Sequence, residues 1–284
     1  MEDIGVVALK SFQLFGLEII VNLEMFYMTF LVASLLVLFG FLSTRKLSSV
    51  PGKLQGFFEL ILYFVNDITV STLGEKEGKK FSPLIITIFL FVLLSNWIGI
   101  VPNLCEFLGV IIALLHKLIV PGTVEVVAES VTNVFVVPDP QSWYYFLFKI
   151  PAINSPTRHL GTNFAVAIIV FLVAHSNAVR CNGIVEYFKG YMEPLPSKPP
   201  WIYFFFLNPF FYLNIISQLS NVVSHSFRLF GNIFGGGIII LIVSELLRYF
   251  LLPVGLFAFF GLFSGIIQAF VFTMLAITYI ATAK

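Results

Sequence analysis

The stretch that decides the fold is Pro209–Leu247, PFFYLNIISQLSNVVSHSFRLFGNIFGGGIIILIVSELL. Its 39 residues are apolar almost throughout. As one α-helix it would be about 58 Å long at 1.5 Å per residue. That is nearly twice the ~30 Å of hydrocarbon in a bilayer. Arg228 sits in its middle. A guanidinium cannot become neutral at any useful pH, and at bilayer depth it costs at least ~2.5–3.5 kcal/mol. A cost of that size marks an ion pathway.

Composition supports a membrane reading. Hydrophobic residues make up 58% and charged residues 11%, against about 25% charged in soluble domains. The chain reads as a polytopic, all-α membrane protein, and a net charge of +1 gives no reason to expect nucleic acid. The start Met1-Glu2-Asp3 is acidic where a secretory signal would be basic. Cys105 and Cys181 are expected to be free thiols, and no metal-ligand spacing occurs.

Working outward from Pro209–Leu247, about five stretches are long enough to cross. They are Met25–Leu42, Leu84–Val101, the short and more polar Phe164–Val179, Pro209–Leu247 itself, and Leu251–Ala281. Phe107–Val120 is apolar but too short to span, so it is expected to lie in the interface or to re-enter. The basic loops carry Arg45, Lys46, Lys53, Lys76, Lys79 and Lys80, then Arg180, Lys189 and Lys198. The segment between the second and third spans leans acidic, with Glu106, Glu125, Glu129 and Asp139. By the positive-inside rule the N-terminus is outside and Lys284 inside. Residues 1–284 form a single integral membrane domain, with 1–24 outside, 104–160 an outside insertion, and 205–284 a long two-helix hairpin. Both of the last two stretches exceed the membrane, so steep tilt is expected, with a turn near Tyr249–Pro253.

Asn214, Gln218, Asn221, His225, Arg228 and Asn232 recur at steps of four and three, which places them on one helix face. Single polar residues in a bundle are often hydrogen-bonding glue; six in register around an arginine point to function. Glu245 is the nearest acid further along, about 25 Å away by helical rise. The last stretch has no acid but carries Ser264, Gln268 and Tyr279. Unless Glu245 or a loop acid folds back, Arg228 is expected to meet a carboxylate on another chain. Gly231, Gly235, Gly236 and Gly237, with Gly255, Gly261 and Gly265, permit close helix approach. Packing within the hairpin is expected for Gly261 and Gly265, and a sliding surface for Gly235–Gly237.

The run Ser226-Phe227-Arg228-Leu229-Phe230-Gly231-Asn232-Ile233-Phe234-Gly235-Gly236, with Gln268-Ala269-Phe270-Val271-Phe272, resembles subunit a of F-type ATP synthases. Pro51-Gly52-Lys53-Leu54-Gln55, Phe81-Pro83 leading into Asn96 and Pro102, and Pro156-Thr157 extend the resemblance over most of the chain in its bacterial and plastid form. Leu104–Ala152 matches least. The resemblance implies a membrane stator against a rotating ring of c subunits, with peripheral-stalk b subunits and the rest of the complex as partners. Two half-channels would carry H+ or Na+, with no stably bound cofactor. Arg228 would be the barrier and the partner of the ring carboxylate. Asn214, Gln218, Asn221 and His225 would line one half-channel. Asn163, His175, Ser176 and Asn177 would line the other, with Gln268 near Arg228. Asn232, Ser264 and Glu245 are further candidates. ATP chemistry would lie in a soluble head, outside this chain.

The chain also departs from the pattern. Where relatives commonly carry a Glu after the arginine, a His before the glutamine, an Asp after Pro-Thr and a Lys before the arginine, it has Gly237, Gly261, His159 and Asn221. Protons would then pass by water with His159, His175, His225 or Glu245, or the coupling ion is Na+. A stand-alone secondary transporter predicts an internal repeat and paired broken helices, neither of which is visible. A structural assembly subunit would not need an isolated intramembrane charge. The implied location is an energy-coupling membrane: a bacterial plasma (inner) membrane first, a plastid thylakoid or mitochondrial inner membrane otherwise.

Overall fold

The computed structural model describes residues 9–14, 17–44, 51–100, 104–119, 124–128, 134–138, 142–143, 145–146, 154–191, 209–247, 255–256 and 259–282. Eight principal helices follow one another: α1 Leu23–Thr44, α2 Lys53–Leu73, α3 Glu75–Ile98, α4 Leu104–Ile119, α5 Leu160–Asn182, α6 Ile184–Gly190, α7 Pro209–Leu247 and α8 Ser264–Thr282. A π-helical turn, Phe259–Phe263, leads into α8. Two short antiparallel hairpins accompany the helices: β1 Leu9–Leu14 with β2 Leu17–Asn22, and β3 Val124–Ala128 with β4 Val134–Pro138. The expected all-α membrane body is present.

Six helical segments among the described residues are long and apolar enough to cross a membrane. One more than the sequence count is α2, which the sequence pattern places inside a basic loop. Lys53, Glu59, Asn66 and Asp67 interrupt its hydropathy, and they hid a 19-residue apolar stretch from Gln55 to Leu73. Gly74 ends α2 and begins α3 with φ +83°, a conformation that glycine adopts without strain. Gly183 joins α5 to α6 the same way, at φ +81°. Past that turn α2 folds back on α3. Ser82 Oγ donates to Asn66 Oδ1 at 2.6 Å. A Cβ on Gly78 would lie 2.6 Å from Val70 Cα, so only glycine allows this approach.

The insertion after α3 is described in part. α4 is too short to span, as expected, and packs on the β3–β4 hairpin. The turn expected near Tyr249–Pro253 lies outside the described residues, as does the side chain of Cys105; Cys181 is an exposed free thiol.

The core runs along α3, α5 and α8, and includes Ile85, Val92, Ala174, Phe272, Ile277 and Ile280. α3 packs on α2 and α8, whereas α7 packs chiefly on α5. Lys80 beside Asn177 puts the start of α3 and the end of α5 at one end of the bundle, together with Arg180 and Lys189. This is the basic end. The far end holds Asn96, the 3-10 turn Pro156–Arg158 and the start of α8. The ion pairs Lys79–Glu75, Lys80–Glu77 and Lys189–Glu186 link neighbours on one helix at the surface, where such pairs add little stability.

Candidate functional site

Four contacts set how α7 meets α8. A Cβ on Gly236 would lie 3.2 Å from Phe260. Ser264 Oγ donates to Asn232 Oδ1 at 2.7 Å. The rings of His225 and Phe272 meet edge to face at 5.2 Å. Tyr279 donates its hydroxyl to Gln218 Oε1. The helices are therefore antiparallel and in constant register, which puts Gln268 level with Arg228. Gln268 is buried, and its amide nitrogen has no protein partner among the described residues.

The polar stripe divides along its length. Gln218, His225 and Asn232 turn toward α8, and Asn214 Nδ2 donates to the Tyr191 carbonyl at 2.9 Å. Asn221 and Arg228 remain on the exposed side. Arg228 makes no ion pair or hydrogen bond among the described residues. Around it the helix is bare, since a Cβ on Gly231, Gly235 or Gly237 would meet nothing within 4 Å. Gly231 and Gly235 follow Arg228 by three and seven residues, so they share its face. The side chain of Glu245 lies outside the described residues.

Gly261 and Gly265 do pack, but not within the hairpin as expected. A Cβ on Gly261 would come within 2.4 Å of Ile100 Cγ1, and one on Gly265 within 3.2 Å of Asn96. The partner is α3 and its C-terminal turn. Sequence spacing shows which residues share a face and leaves open which neighbour that face meets.

At the far end a buried polar lock joins α3, α5 and α8. Thr157 Oγ1 donates to Asn96 Oδ1 at 2.8 Å, Asn96 Nδ2 to the Gly265 carbonyl at 3.3 Å, and Asn163 Nδ2 to the Thr157 carbonyl at 2.8 Å. Asn163 is fully buried there, with its own carbonyl oxygen unpartnered. Beside the lock opens a cavity of about 290 Å³. Its polar walls include Asn96, Asn154, Arg158 and Asn232, and Gly236 and Gly261 widen it. Arg158 Nη1 donates to Asn154 Oδ1 at 3.3 Å. His159, one of the candidate proton carriers, is half-buried beside Asn22. Burial pulls its pKa below the ordinary value of 6.5, with Glu24 opposing and Arg158 assisting.

The basic end carries a chain of aromatic hydroxyls that sequence reading missed. Tyr187 and Tyr191 join their hydroxyls at 2.7 Å. The Tyr191 hydroxyl lies 3.4 Å from His175 Nε2, and the His175 ring lies 5.8 Å from that of Tyr279. Tyr279 closes on Gln218. The spacing by four of Tyr187 on α6 and Tyr191 at its C-terminal cap was the available signal. Burial and the Tyr191 hydrogen bond push the Tyr187 pKa well above its ordinary 10.0. Ser176 is exposed and Asn177 buried; both face Lys80 and Arg180 rather than this chain.

The grouping of candidates is therefore corrected. Asn163 belongs with Asn232 and Ser264 at the far end. His175 belongs with Asn214 and Gln218 at the basic end. Asn221, His225, Arg228 and Gln268 occupy the middle. Buried polar side-chain atoms normally have partners, yet His175 Nδ1, His225 Nε2, Asn163 Oδ1 and Gln268 Nε2 have none. Among the described residues no three His, Cys, Asp or Glu side chains group to hold a metal.

Comparison with known proteins adds the family. Residues 25–281 match the family described as ATP synthase A chain. ATP synthase subunit a of Geotalea daltonii is 31% identical over 252 residues, covering 89% of this chain and 83% of that protein. That of Bacillus velezensis is 28% identical and covers 96% and 95%. ATP synthase subunit a 2 of Syntrophotalea carbinolica is 32% identical and covers 90% and 83%.

Proposed function

The chain belongs to the ATP synthase A chain family, and on that premise we propose that it conducts protons to and from carboxylates on a rotating ring, with Arg228 dividing the path. The observation that carries this reading is an exposed arginine, without a partner among the described residues, on a bare glycine face of a 39-residue apolar helix. An ionised carboxylate in hydrocarbon is prohibitively costly. A ring site must therefore be protonated before it enters lipid. Arg228 favours the charged form of a carboxylate beside it, so it strips the proton as each site arrives. Its own charge repels a proton moving directly from one half-path to the other. The proton then travels with the ring, and that coupling produces torque.

The far-end cavity, bounded by Asn232 and Arg158, serves as one half-path. The other runs from Gln218 through Tyr279, His175 and Tyr191 to Tyr187. The hydroxyls and imidazole pass protons without requiring the acids that this chain lacks. Sodium would need several oxygen ligands converging on one point. The basic end instead offers hydroxyls and an imidazole in series, which favours the proton.

α2 carries basic residues before and after it, Lys53 at one end and Lys76, Lys79 and Lys80 at the other. Phe58 meets Phe39 near the end of α1. Both observations support α2 lying along the basic membrane face, leaving five crossings with the N-terminus outside and Lys284 inside. The partners are the c ring, the b subunits and the remaining complex, and the location is a bacterial plasma membrane.

The test is gradient-driven ATP synthesis by the complete complex in liposomes prepared without sodium. Full synthesis is expected. A requirement for added Na+ would replace the proton with sodium.

A further inference from the structure

A second cavity, of about 260 Å³, opens at the basic end between the start of α3 and the end of α5. It lies on α5 residues turned away from the hydroxyl chain. Its polar wall consists of Lys80, Arg180, Ser176 and Asn177. Asn177 is only 3% exposed. Lys80 Nζ donates to its Oδ1 at 3.1 Å, which anchors the ammonium at the cavity wall. Glu77 neutralises part of Lys80 at 3.1 Å, and Arg180 makes no ion pair among the described residues. The donors therefore exceed the acceptors, and the net charge is positive.

The remaining wall is apolar. Lys80 Nζ lies 4.8 Å above the Phe81 ring, and Leu172 and Val173 continue the surface. Leu172 is 57% exposed, so the cavity opens sideways along the helices onto a face made for hydrocarbon. A soluble anion would gain nothing from that opening, whereas an acyl chain would fill it.

We propose that this cavity binds the phosphate of an anionic phospholipid, held by Lys80, Arg180 and Ser176, with an acyl chain against Leu172 and Val173. Basic pockets between helices at the cytoplasmic side favour such headgroups. The site is independent of the proton path proposed above.

The test uses the purified complete complex, delipidated and titrated with phosphatidylglycerol, phosphatidylcholine or inorganic phosphate, with lipid occupancy read by native mass spectrometry. Phosphatidylglycerol should bind at least about tenfold tighter than phosphatidylcholine. Arg180→Gln should weaken it about fivefold, the worth of one basic residue at an anionic surface, and Arg180→Lys should restore most of the loss. Arg180 is exposed, so neither change should alter complex yield. Equal binding of the two lipids, or no effect of Arg180→Gln, would overturn the proposal. Competition by inorganic phosphate equal to that of lipid would assign the site to free phosphate and overturn the lipid. Loss of another subunit from the Arg180→Gln complex would assign it to a protein carboxylate and overturn it as well.

Discussion

α3 and α7 are close in hydropathy, 2.1 against 1.8 over their most apolar windows, yet half of that window is buried in α3 and 17% in α7. Composition does not separate them. The difference lies in what their polar atoms meet. On α3, Ser82 and Asn96 are paired with partners on α2, on α8 and in the 3-10 turn before α5. On α7, the stripe is paired along one edge, and Arg228 and Asn221 stand on the other. One helix is scaffold throughout. The other is scaffold along one edge and working surface along the next, which explains how a buried-looking sequence can keep an exposed cation.

Glycine substitutions test that contrast most strongly. On the α3 side, Gly261→Leu should expel the Ile100 contact or separate the helices. Overpacking costs about 1–3 kcal/mol and often more at backbone contacts, so the subunit content of purified complexes should fall severalfold. On the open side, a Cβ at Gly235 meets nothing within 4 Å among the described residues, so Gly235→Leu projects from the free face. Complex yield should hold while coupled synthesis falls about tenfold, equivalent to a ~1.4 kcal/mol obstruction. Wild-type synthesis with Gly235→Leu would show that the open face carries no partner.

A smaller effect is expected inside the basic-end chain. Tyr279→Phe keeps the ring against His175 and removes the hydroxyl that reaches Gln218. A lost hydrogen bond is worth about 0.5–1.5 kcal/mol, so proton-driven synthesis should drop about threefold, with an altered pH profile. An unchanged profile would remove Tyr279 from the path.

The smallest effect concerns His159. Its folded pKa lies below its unfolded value because burial disfavours the cation. The folded state thus binds fewer protons, and stability rises with pH. Stability should be complete above the ordinary 6.5 and decline as pH falls below it. Thermal unfolding of the complex between about pH 7.5 and pH 5 should show this slope, and His159→Gln should reduce it.

Much of this contrast was legible in the sequence. Pro209–Leu247 was read to its exact bounds, because an unbroken apolar run following a proline leaves few alternatives. Arg228 and its glycines were legible for the same reason: both are costly in a membrane helix. α2 was not, because four polar side chains dilute a helix whose apolar face needs its α3 partner to be recognised. The half-path grouping was not legible either. Helical spacing gives a face, but only the register of α7 against α8 and the turns after α5 decide that His175 sits with Gln218 and Asn163 with Asn232. The Asn96–Thr157 lock spans distant positions that no local pattern connects.

The central claim rests on Arg228 acting on a partner's carboxylate. Its most direct test is gradient-driven ATP synthesis in liposomes by wild-type and Arg228→Gln complexes, matched for assembled subunits. The account predicts normal assembly with synthesis abolished. Assembly with synthesis near the wild-type rate would contradict it, and would make Arg228 a structural cation rather than the divider of the ion path.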